Sequence, residues 1–170
     1  MIHAVKKLGL VFVWLAVSCC IAAVFGALHN QVSFTLSDEY FTKFKFIQFG
    51  LIEFDLAPRI LAAYVGILAS WWMGLIIGVI VGLPVLVVGR IQDIPRVFRQ
   101  TIVIVLATSI IGALVYDRFV SNYDGYYVPT SVVNIDAFRV AGSMHNGSYL
   151  GAAIGVLLAM IWRRIIRRQS

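Results

Sequence analysis

Charge is what this sequence lacks most. Of its 170 residues only 13% are Asp, Glu, Lys or Arg, about half the share usual in a soluble domain. That scarcity excludes a soluble enzyme, a disordered tail and a free nucleic-acid-binding domain. The interiors of the long apolar runs hold no Asp, Glu, Lys, Arg or His. Ion-coupled transporters and proton pumps generally need such groups near the bilayer midplane, so secondary active transport is disfavoured. No GxxxxGKS phosphate loop, HExxH, paired CxxC or GxSxG occurs, so the usual soluble catalytic motifs are missing. The two cysteines, Cys19 and Cys20, are adjacent within the first apolar run. They cannot staple the loops and read as packing residues.

What the chain has in excess is apolar length. Hydrophobic residues make up 61% of it, and the mean hydropathy is +0.90. A helix needs about 20 apolar residues to cross a bilayer. Four stretches qualify, at roughly 8–28, 60–89, 101–120 and 142–162. The expected fold is therefore an all-α four-helix transmembrane bundle forming a single polytopic domain, with outer loops at 29–59 and 117–143. Pro84 falls near the end of the second stretch, where a kink or tilt is expected. The first stretch is longer than the apolar core of a signal peptide, and Phe25 spoils a small-x-small cleavage site, so a retained helix is expected.

The charges that remain are unevenly placed. Lys6, Lys7, Arg90, Arg96, Arg99, Arg163, Arg164, Arg167 and Arg168 occupy three segments that hold one acid, Asp93. The other two loops hold seven acids: Asp38, Glu39, Glu53, Asp55, Asp117, Asp124 and Asp136. Cytoplasmic loops retain Lys and Arg, so both termini are expected in the cytoplasm. The loops themselves are patterned. Val32, Phe34 and Leu36 alternate with polar residues, the period of a strand. Ser37-Asp38-Glu39 reads as a helix start, with Ser37 as its cap. Phe44 and Phe46 alternate with lysines and suit a second strand, and Val132, Val133, Ile135 and Phe138 suggest another. A small ordered outer cap, including short β-strands, is the expectation.

Small residues supply the packing signal. Ala62, Gly66, Ser70, Gly74, Gly78 and Gly82 recur every fourth position, as do Ser143, Gly147, Gly151, Gly155 and Ala159. Such ridges let helix backbones approach closely, and the simplest expectation is that the second helix packs on the fourth. Ser18, Ala22 and Gly26 form a shorter ridge in the first helix. Trp71 and Trp72 fall mid-helix, with at least one expected inside the bundle.

Two histidine pairs lie at the outer boundary. His29-Asn30 is expected to close the first helix and His145-Asn146 to open the fourth. With Glu39 and Glu53, His29 and His145 form a candidate metal or acid–base set. The competing expectation is that the pairs tie helix ends to loop backbone and lock the cap.

The segments HNQVSFTLSDEYFTKFKFIQFG (29–50), ASWWMGLIIGVIVGLP (69–84) and MHNGSYLGAAIG (144–155) resemble those of a family of small bacterial four-helix integral membrane proteins with no known activity. That resemblance implies a bacterial inner membrane and little more. The function expected first is a non-catalytic accessory or scaffold subunit of a larger membrane assembly. Its partners would be the lipid bilayer and other membrane subunits or a second copy of itself, with no nucleic acid. A membrane enzyme or metal-binding protein using His29 and His145, and a passive channel or small-solute carrier, remain alternatives. No cofactor is indicated.

Overall fold

In the computed structural model, which describes residues 2–88, 90–120 and 127–169, four long helices carry the chain back and forth. Helix α1 spans Ile2–Leu36, α2 Pro58–Val88, α3 Ile94–Val120 and α4 Ile135–Gln169. All four are long and apolar enough to cross a membrane. The protein is thus a small four-helix, multi-pass membrane protein. Asp124 lies outside the described residues.

The helices outrun their apolar runs. At about 1.5 Å per residue, a 35-residue helix such as α1 extends well beyond the roughly 30 Å hydrocarbon layer. The strand expected at Val32–Leu36 is therefore the last turns of α1. Its polar residues back-bond within the helix: Ser33 Oγ donates to His29 O (3.2 Å) and Thr35 Oγ1 to Gln31 O (2.9 Å). Phe44 and Phe46 are likewise helical, in a segment Asp38–Gln48 that includes a π-helical turn over Phe41–Lys45. Val132 and Val133 lie in irregular chain before α4, and Ile135 and Phe138 are within it. Among the described residues there is no strand. The alternation misled because three apolar residues are too few to set a period: in the helix Val32 and Leu36 share an exposed side while Phe34 turns to the cap cluster. The cap reading at Ser37 agrees with the structure: its Oγ accepts from Tyr40 N at 3.2 Å.

The helices form two packed pairs, α1 with α2 and α3 with α4. Each ridge of small residues faces the sequence neighbour of its helix, so α2 and α4 do not pack on one another as expected. A Cβ placed on Gly66 would strike the carbonyl of Gly26, and one on Gly74 the carbonyl of Ser18. In the second pair Gly112 and Gly147 oppose each other the same way, and Gly151 meets the carbonyl of Thr108. The ridge of α2 has its counterpart in Ser18 and Gly26 of α1, and Gly112 supplies that of α4. The pairing follows the ridges and not the length of the connections: the short link between α2 and α3 joins helices that barely touch, whereas small residues opposed across each pair let the backbones close. Trp71 and Trp72 both point away from the bundle and stay about half exposed.

The two hairpins meet through an apolar cluster at each end. At the end carrying the basic residues, Val11, Val81 and Val85 pack with Ile94 and Phe98 of α3, and Trp14 stacks on Phe98 at 5.9 Å. At the other end, the cap segment drives Tyr40, Phe41 and Phe46 against Leu61 and Val65 of α2 and Phe138 of α4.

Candidate functional site

Among the described residues, buried polar side chains gather at the cap end: Asn30, Ser33, Ser37, Ser143 and His145. His29 and Asn30 sit on α1, two turns before its end, and His145 sits ten residues into α4. None caps a helix, contrary to expectation, because both helices run past them. The hairpins bring the two imidazoles together edge to face, with centroids 4.8 Å apart. The Asn30 side-chain amide bridges three elements: its nitrogen donates to Ala62 O of α2 (2.9 Å), and its oxygen lies 2.9 Å from His145 Nε2. His145 Nδ1 lies 2.8 Å from Ala141 O; a neutral imidazole carries a single N–H, so the ring donates to one of these two oxygens, Ala141 O or Asn30 Oδ1. Rings close the shell. Tyr40 and Phe41 pack on His145 at 5.1 and 6.0 Å, and Phe25 packs on His29 at 5.8 Å. Asn30 and His145 are buried, so each hydrogen bond here stands in for lost water, and breaking one leaves its partner unsatisfied.

The four residues of the candidate metal set do not assemble. Glu39 and Glu53 do not join the histidines, and among the described residues no three of His, Cys, Asp and Glu converge. Both ring nitrogens of His145 are already engaged, so a metal would have to displace Asn30 or the Ala141 carbonyl. His29 offers one buried nitrogen, Nε2, with no hydrogen-bond partner. Zinc sites use three or four ligands; this pair supplies one open position. The arrangement instead joins the hairpins.

Glu39 takes a different task. It bonds Lys43 one turn on, and its carboxylate accepts from the backbone N–H groups of Asn134 (2.8 Å) and Val133 (3.1 Å). Lys43 also reaches Ser131 O. The cap is thereby latched to the chain entering α4, whose first turn Asn134 caps by accepting from Ala137 N at 3.0 Å. The Lys43 ammonium, and then the two backbone N–H groups, hold the Glu39 carboxyl down at about 2, from an ordinary 4.5. A depressed carboxyl stabilises the latched form above its ordinary range and loses that contribution as pH falls from about 4.5 towards about 2. Limited proteolysis at the cap should therefore accelerate across that window. Glu39→Gln should be cleaved faster at neutral pH and lose the acceleration. An unchanged wild-type pattern down to pH 2 would contradict the latch. Nearby, burial pushes the Lys45 ammonium down; it lies over Phe44 and Tyr40 at 5.0 and 5.5 Å and donates to Gln48 Oε1 at 2.9 Å.

Two further features emerge only from the structure. Arg59, at the start of α2, turns back onto α1, stacking over Phe34 (5.1 Å) and donating to Thr35 Oγ1 (3.2 Å). Deeper between the hairpins, Tyr149 donates to Ala69 O at 3.1 Å beside a cavity of about 60 Å³ lined in part by Ser70, Ser109 and Ser148. That space suits a few ordered waters. No sequence signal could have paired Asn30 with His145, since neither their spacing nor their type predicts which helices become neighbours. Comparison of the chain with protein-family models, with curated proteins and with solved structures finds no match in any of the three.

Proposed function

We propose that the protein is a non-catalytic accessory subunit of a larger membrane assembly, docking through its cap. The observation that carries this reading is an apolar ledge outside the helices. In the segment between the cap helix and α2, Ile52, Phe54 and Leu56 are exposed by 66, 54 and 50%. They alternate with exposed Glu53 and Asp55. Burying this segment in hydrocarbon would drag carboxylates along, and leaving it in water exposes three large side chains within five residues. A protein surface with apolar pockets and a polar rim suits both kinds of residue. The described interior supports the same reading from the other side. Its polar cluster is spent on joining hairpins, and the small cavity between them is lined mostly by apolar side chains and lies between apolar clusters at both ends, so a channel finds no continuous polar path among the described residues. The charge asymmetry supports placing the basic end in the cytoplasm, and the resemblance of segments 29–50, 69–84 and 144–155 supports a bacterial inner membrane.

A photoreactive benzoyl-phenylalanine at position 54 tests it in native membranes. The expected product is one discrete adduct with another membrane protein, absent when the probe is moved to lipid-facing Leu157. Adducts with lipid alone, or with a second copy of this chain alone, would overturn the accessory reading.

A further inference from the structure

At the basic end, α2 and α4 stand apart and leave a cleft of about 160 Å³ lined by Ile80, Pro84, Met160, Arg163 and Arg164. Both helices run towards this end, so the cleft is graded along its depth. Ile80 and Met160 form an apolar wall on the bilayer side. Pro84 and the two arginines lie one turn further out, at its mouth. Pro84 has no N–H, so the carbonyl of Ile80 lacks its partner within the helix. Trp162, half exposed between Met160 and the arginines, is the residue type that settles at headgroup depth. The surrounding charge has one sign: Lys6, Lys7, Arg90, Arg96 and Arg99 share this end. Its one acid, Asp93, is paired with Arg90 at 3.3 Å.

We propose that this cleft binds one anionic phospholipid, with the phosphodiester on Arg163 and Arg164 and an acyl chain along Ile80 and Met160. Guanidinium forks match phosphate oxygens geometrically. The apolar wall continues directly into the bilayer, so the chain need not leave it. A zwitterionic lipid would bring its own cation against two arginines, and an anionic one does not. This site is independent of the accessory role, since it lies at the opposite end from the cap.

The test uses the full chain, delipidated in detergent and titrated with dioleoyl phosphatidylglycerol or dioleoyl phosphatidylcholine, with bound lipid read by native mass spectrometry. The expected result is one phosphatidylglycerol retained per chain under conditions that strip phosphatidylcholine. Arg163→Gln with Arg164→Gln should weaken retention by roughly tenfold or more, given the attraction expected per basic residue near the surface. Met160→Trp, which fills the cleft and keeps both arginines, should weaken it too. Arg96→Gln with Arg99→Gln, which keeps the cleft and removes as much charge, should not, and soluble glycerol phosphate should not compete. Equal retention of the two lipids, or retention in both cleft variants, would overturn the site. Equal loss in the Arg96/Arg99 variant would show general charge attraction instead. Effective competition by glycerol phosphate would show a phosphate-ion site without a lipid. Circular dichroism of each variant confirms that the helices are intact.

Discussion

Gly66→Leu is expected to force α1 and α2 apart and cost on the order of 3 kcal/mol, at the upper end of overpacking effects. The reason is local and covalent. A Cβ at Gly66 points at the main-chain carbonyl of Gly26, and at Gly26 it would meet that of Gly66. Backbone cannot rotate away as a flexible side chain can, so the helices must separate along several turns. Separation also forfeits the close contacts at Gly74 with Ser18 and loosens the Asn30 bond to Ala62 O. The control is Gly9→Leu, on the same hairpin, where nothing lies within 4 Å of the new Cβ. Equilibrium unfolding in mixed micelles, followed by circular dichroism, should show a large loss for Gly66→Leu and almost none for Gly9→Leu. Equal effects would mean that the α1–α2 contact is not what the small residues maintain.

His145→Ala should have the second-largest effect, also on the order of 3 kcal/mol, from an emptied aromatic site plus a buried amide left without its partner. His29→Ala should cost much less, about 1 kcal/mol, because its buried Nε2 makes no hydrogen bond and the loss is mainly ring packing. This asymmetry separates a joint from a metal site. If the two histidines held a metal, the variants would cost alike, and zinc would raise the wild-type unfolding midpoint in a way that either substitution abolishes. A joint predicts unequal costs and a midpoint indifferent to zinc. The stability measurement therefore also tests the chemistry.

How much of this was legible in the sequence depended on the range of the interaction. Apolar length alone placed the four spans, because the bilayer sets that length. Ser37 was legible as a cap because a cap bonds its own neighbours. The two ridges were legible as packing surfaces, but their partners were not. Glycine at Gly66 says that a backbone comes close, not whose it is, and the structure supplies Gly26 rather than the fourth helix. His29 and His145 were singled out for their type, yet residues 115 apart, as Asn30 and His145 are, meet only through the fold. Their partner Asn30 then defines the role, and Glu39 and Glu53 are drawn elsewhere. The outer cap misled for a physical reason. Alternation over three or four residues in Val32–Leu36 does not discriminate a strand from the end of a long helix, and helix α1 simply continued.

The accessory role is tested most directly by purifying the full chain from its own membrane in a gentle detergent, beside a Phe54→Asp variant, with mass spectrometry of what remains bound. The account predicts a second membrane protein in fixed ratio with the wild type and its loss from the variant, whose fold stays intact because the Phe54 side chain is exposed and its backbone bond to Leu51 O does not depend on the side chain. A wild-type protein that emerges alone, or a partner that stays bound to Phe54→Asp, would contradict docking through the cap.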